Sequence, residues 1–319
     1  MGAWRSIAFA SAAGLACSPG GDAADEPSSA ATSDGGDGRD ADTGDGGAAM
    51  SSAESSSGGA ASEGGGESDA ASDGGGSTTA GEMPPPDAPR WELLIRGDTY
   101  PRLVIEVDYV AGREPRPLVI ADIEATFFAL LDKPGGVEVV LDEVVASSDP
   151  EHAWTVQERL DLAIATDNLV VDDDTIKIHA MFVDGHAEED AMGGVILGSA
   201  WGYESITIFR DSLDAGCEGA VVGPLLDQLC ADAEFLIWQH EIGHVIGLVD
   251  GGLPMVHDHL DPAANAGRHD VAHDCVMYRS YEGLDAFDAV LDRLLTGGPA
   301  IEFDAQCIAD ITAVRDGGA

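Results

Sequence analysis

The segment His240-Glu241-Ile242-Gly243-His244-Val245-Ile246-Gly247-Leu248-Val249-Asp250 constrains this chain more than any other. It reads H-E-x-x-H-x-x-G-x-x-D. Phe235, Leu236, Ile237, Ile242, Val245 and Ile246 surround the polar positions. That spacing predicts a buried helix over 226–248. Two histidines four apart project from the same side of such a helix. Two imidazoles and a carboxylate in apolar surroundings are costly unless satisfied, and a metal ion satisfies all three. Each histidine can offer a neutral nitrogen to one Zn²⁺ at about 2.0–2.1 Å. Glu241 is then placed to take a proton from a water held at the metal. Gly247 permits a sharp turn after the second histidine, because glycine adopts φ > 0 at little cost. Asp250 could return as third ligand, leaving one position open.

The residues after the motif offer other third ligands. His257, His259, Asp261, His269 and His273 follow closely, and any of them could loop back over the metal. His259 is the first reserve to Asp250. A different zinc-hydrolase arrangement takes a glutamate from a downstream helix, and Glu282 is the nearby candidate, without the surrounding pattern. His179 and His186 lie far upstream and are expected to be structural.

The motif resembles that of the metzincin clan of zinc endopeptidases, in the variant with Asp as third ligand found in snapalysin-like proteases. Cys275-Val276-Met277-Tyr278 is similar to the clan's Met-turn, whose methionine, here Met277, underlies the zinc histidines. The likeness is motif-level over 235–281 and architectural over 91–319. It implies one catalytic Zn²⁺, peptide or protein substrates, Glu241 as general base, and His240, His244 and Asp250 as ligands. Several members carry a tyrosine two residues after the methionine. That position is Arg279 here, so no tyrosine role carries over from the neighbouring Tyr278 and Tyr281.

The wider chain is read as α+β, a metzincin-like zincin domain. A mixed twisted sheet lies over the active-site helix, followed by a small helical C-terminal subdomain. Strands are expected at 103–110, 137–141, 175–183, 194–201 and 205–209, and helices at 120–131, 155–165, 226–248, 282–295 and 304–314. The order up to the motif is β-α-β-α-β-β-β-α, and the helix between the second and third strands departs from the clan. By position, Gly194–Trp201 is the antiparallel edge strand. Its residues Gly198, Ser199 and Ala200 would offer backbone groups to an extended peptide.

Composition bears on partners and location. Fifteen Lys+Arg against 59 Asp+Glu give a formal net charge of -44, which repels nucleic acid. Such a charge favours a soluble, monomeric domain. Ca²⁺ is conceivable at Asp172-Asp173-Asp174, but the run lacks an EF-hand pattern and reads as a solvated turn. Arg5 and the apolar stretch 7–16 read as an export signal. Gly14-Leu15-Ala16-Cys17 resembles a lipobox, with Cys17 lipidated and the protein held at an outer membrane or cell surface by a lipid anchor alone. Ordinary secretion is the alternative. Residues 18–90 are rich in Gly, Ser, Ala and Asp and read as an acidic tether. The remaining cysteines, Cys217, Cys230, Cys275 and Cys307, are expected as two disulfides, paired 217–230 and 275–307. Alternatives to the peptidase are a catalytically silent surface lipoprotein that binds partners, and a zinc-storage lipoprotein.

Overall fold

The computed structural model describes residues 88–317 apart from 193, 203, 222 and 264–266. The export signal with Cys17, and the tether up to residue 87, lie outside the described residues.

Five strands form one mixed sheet in the order β2-β1-β4-β7-β6. These are β1 (Arg102–Val110), β2 (Gly136–Val145), β4 (Thr175–Val183), β6 (Gly198–Trp201) and β7 (Ser205–Phe209). β1 pairs in parallel with β2 and β4, and β4 in parallel with β7. β6 runs antiparallel to β7 and forms one edge. Two short strands, β3 (Ala153–Trp154) and β5 (His186–Ala187), make a separate parallel pair.

Side chains alternate across a strand, so a sheet covered on both faces needs two cores. β4 shows this directly. Ile176, Ile178, Ala180 and Phe182 enter the main core, whereas Met181 and Val183 join a smaller one with Trp154, Ala163 and Phe209. The helix α3 (Val156–Thr166) supplies Ala163 to that smaller core. It begins at a capping box, in which Thr155 and Glu158 satisfy each other's backbone N–H groups. The main core packs under α2 (Pro117–Leu130) and α5 (Leu226–Val245), the helix that carries the motif.

Buried charges hold α5 in place. Glu234 on α5 is wholly buried; it accepts from the Arg116 backbone N–H at 2.7 Å and pairs with the guanidinium groups of Arg116 and Arg210. Arg116 caps α2, and Arg210 opens α4 (Arg210–Ala220), so one carboxylate ties three helices together. The Cys217–Cys230 disulfide fastens α4 to α5 again.

Several elements differ from the expected ones. Periodicity does not predict α4, because its glycines and acidic residues lower helix propensity. Gly216 nevertheless belongs there, since a Cβ would overlap the Phe287 ring of α6 (Asp285–Thr296). A short α1 (Arg90–Ile95) and the β3–β5 pair are further elements that periodicity does not predict. The edge strand begins at Gly198 rather than 194. α5 ends at Val245 rather than Leu248, because Gly247, Val249 and Asp250 all adopt positive φ (85°, 48° and 62°). The C-terminal α7 (Ala305–Arg315) and α6 lie within a few residues of expectation. The expected Cys275–Cys307 disulfide is not formed. The two buried thiols sit side by side with their sulfurs 3.5 Å apart, well beyond the bonded separation of about 2.05 Å. Among the described residues no helix is long and apolar enough to cross a membrane.

Candidate metal centre

The C-terminal half of α5 places His240, Glu241 and His244 beneath β6. His240 and Glu241 are fully buried, and His244 is largely so. The Nδ1 of His240 lies 2.7 Å from the Val276 carbonyl. A carbonyl only accepts, so Nδ1 is the donor and Nε2 is the nitrogen left for a metal. That bond comes from the turn Cys275-Val276-Met277-Tyr278. The Met277 side chain lies against Gly243, one residue before the second histidine, where a Cβ would overlap the sulfur. The Nε2 atoms of His240 and His244 are 3.2 Å apart and face the same space.

A third imidazole reaches this space, and it belongs to His269. Its ring stacks on His240 with centroids 5.2 Å apart and meets His244 edge-on at 4.9 Å. Glu282 completes the group. Its Oε1 lies 2.9 Å from His269 Nε2, 3.9 Å from His240 Nε2 and 4.0 Å from His244 Nε2. One ligand atom from each of these four residues lies within 4.8 Å of the others.

Asp250 does not join them. It is exposed, at the end of a tight turn in which Leu253 N–H donates to the Gly247 carbonyl at 2.9 Å. With Val249 and Asp250 both left-handed, that turn folds back on itself and leaves the carboxylate in solvent. His259, the reserve, is also elsewhere. Both of its nitrogens are engaged, Nδ1 with Asp270 at 2.5 Å and Nε2 with Asp310 at 2.9 Å. This buried pairing fastens the loop to α7. The loop then returns through Asp261 N–H to the His269 carbonyl (2.8 Å) and Asp270 N–H to the Met277 carbonyl (2.9 Å), which sets His269 over the Met-turn. His179 bonds Asp108 at 2.7 Å in the sheet and is structural, and His186 lies on β5. Asp172, Asp173 and Asp174 are exposed before β4.

The four donors suit zinc. Three imidazoles and a carboxylate are ligand types that Zn²⁺ accepts in a tetrahedron. Donors at about 2.0–2.1 Å in that geometry lie about 3.3–3.4 Å apart, near the separations seen here. Burial, then the charges of His240 and His269, hold His244 well below its ordinary pKa, which favours its neutral form. Burial would raise the Glu282 carboxyl, but the neighbouring His240 and His269 imidazoles outweigh it and hold it well below the usual range.

Glu241 stands beside these donors rather than among them. Burial, then the Glu282 charge, push its carboxyl well above the ordinary value. Its Oε1 is buried without a hydrogen-bond partner. A cation beside it would offset both effects. Strand β6 passes close above: a Cβ on Gly198 would come within 2.6 Å of Glu241 Oε1. Gly198 thus faces the helix. Ser199 faces the other way, its hydroxyl taking a bond from Arg159 at 3.1 Å. Gly198, Ser199, Ala200, Glu241, His244, His269 and Glu282 line one open cleft of about 290 Å³.

No protein-family model matches the chain, and no curated protein matches its sequence. Two solved structures are similar in outline. The archaemetzincin of Methanopyrus kandleri aligns with 67% of this chain and 96% of its own, at a TM-score of 0.42 and 15% identity. A zinc-dependent peptidase from Methanocorpusculum labreanum strain Z aligns with 65% of this chain and 99% of its own, at a TM-score of 0.39 and 14% identity.

Proposed function

We propose that this chain is a zinc-dependent peptidase, with His240, His244 and His269 as the metal-holding histidines and Glu241 as general base. The observation that carries this reading is the Glu241 carboxylate. It is buried, has an unpartnered oxygen, and lies between the histidine cluster and an open strand edge. A metal site that served structure alone would have no use for it.

Zinc, when bound, supplies a Lewis acid that makes water nucleophilic near neutral pH and polarises a carbonyl. The protein's own groups do the rest. The free edge of β6 binds the substrate backbone as an added strand, which aligns a peptide bond with the cleft. Glu241 takes the proton from the attacking water and gives it to the departing amine nitrogen. Val276, through its carbonyl, keeps His240 in the tautomer whose Nε2 is free.

Export and a lipid anchor at Cys17 belong to the same proposal, with the acidic tether letting an anchored domain reach outward. The test uses the full chain in a peptide-library cleavage assay, with and without chelator. Wild type should cleave and lose activity with chelator, and Glu241→Gln should keep one zinc but cleave nothing. Undiminished cleavage by that variant would refute the assignment.

A further inference from the structure

We infer that Glu282 is a fourth protein ligand to the metal, one that must swing aside for water and substrate to enter. This rests on the zinc reading above and adds a closed state to it.

The backbone of Glu282 is held at the mouth of the cleft. It ends the 3-10 turn Arg279–Glu282 that follows the Met-turn. Its carbonyl accepts from Leu197 N–H at 2.9 Å, just before β6 begins. Gly283, next in the chain, runs so close to this segment that a Cβ would lie 3.0 Å from the Val195 carbonyl. The turn and the edge strand therefore form one unit, and the Glu282 side chain projects from their junction.

The carboxylate is aimed at the histidines. Its Oε1 stands 2.9, 3.9 and 4.0 Å from the three Nε2 atoms, so it occupies the remaining corner of the donor set. A tetrahedral zinc site with four protein donors is the pattern of closed sites, and one with three is the pattern of catalytic sites. This cluster offers four, yet Glu282 differs from the others. Its side chain is 41% exposed, whereas those of His240, His244 and His269 are 0%, 15% and 6% exposed. Three donors are fixed by packing, and the fourth has solvent to move into. The site then has two states. In one, Glu282 fills the fourth position. In the other it is displaced, the position opens beside Glu241, and a peptide on β6 can be attacked.

The test uses full-length wild type, Glu282→Gln and Glu282→Ala, each loaded with one Co²⁺ as a visible probe. Imidazole serves as an uncharged competitor for the open position, so that loss of the Glu282 charge does not bias its binding. The wild-type Co²⁺ absorption should differ from that of both variants. Imidazole should bind both variants about tenfold or more tightly than wild type, because no carboxylate has to be displaced. The Gln variant preserves shape and serves if the Ala variant does not fold. Identical spectra with equal imidazole affinity would overturn the fourth ligand and leave the three-histidine site standing. Failure of wild type to take up Co²⁺ or Zn²⁺ would overturn both.

Discussion

Met277 and Gly243 are in direct contact: the methionine sulfur occupies the space that any side chain at 243 would need. Gly243 sits in the helical turn between His240 and His244, so this contact sets the floor of the metal centre. Alanine favours a helix over glycine by about 1 kcal/mol. Overpacking a filled site costs about 1–3 kcal/mol. Gly243→Ala should therefore lower stability on balance and speed zinc release. The check is a double-mutant cycle with Met277→Ala. In that background the alanine at 243 should become neutral or stabilising, read as Tm and zinc off-rate. An equal penalty in both backgrounds would mean that the contact is incidental.

The assignment of the third ligand is tested by a pair of variants. His269→Ala should lower bound zinc sharply, since its ring stacks on His240 within the donor cluster. Asp250→Gly should leave zinc content unchanged. It should also raise Tm slightly, because glycine relieves a left-handed φ of 62° whose strain is of order 1 kcal/mol. Metal analysis of the two purified proteins decides the matter. Zinc lost from the Asp250 variant and kept by the His269 variant would reverse the assignment.

What the sequence made legible follows from where each constraint is stored. The apolar helix with His240, Glu241 and His244 is encoded within a few turns, and periodicity exposes it. The strands β1 and β4 are equally readable as apolar runs. His269 is not, because nothing local distinguishes it from His257, His259 or His273. Its place depends on the His259 contacts with Asp270 and Asp310, the last of them 51 residues further on. The motif spacing that pointed to Asp250 fails for a backbone reason, since consecutive positive φ values at Val249 and Asp250 turn the chain early. α4 was hidden for a third reason: Gly216 lowers helix propensity and is needed for contact with Phe287.

Gly198 gives a prediction about catalysis rather than binding. A Cβ at this position would lie 2.6 Å from Glu241 Oε1 and 2.9 Å from the Ile237 side chain. Gly198→Ala should therefore push the carboxylate out of place while sparing the histidines. A misplacement of about 1 Å can cost about 10²-fold in rate. Peptide hydrolysis should fall by that order with zinc content near that of wild type. Loss of zinc in parallel with activity would show that the strand supports the metal site itself.

His259 makes the stability of the loop that carries His269 depend on pH. Burial would lower its pKa, but hydrogen bonds to Asp270 and Asp310 outweigh this and hold it above the ordinary value of 6.5. Asp304 and the Cys307 thiol, which is 3.7 Å from Asp270, border the same cluster. A base whose folded-state pKa is raised binds its proton more tightly when folded. Its contribution to stability is therefore fully present below pH 6.5 and is lost as pH rises through the folded-state value. His259→Gln cannot carry that charge. The difference in Tm between wild type and this variant should be largest in mildly acidic solution and should shrink steadily as pH rises. A Tm difference that stays constant across that range would show that His259 is held neutral, and that the loop is secured by packing instead of by the paired charges.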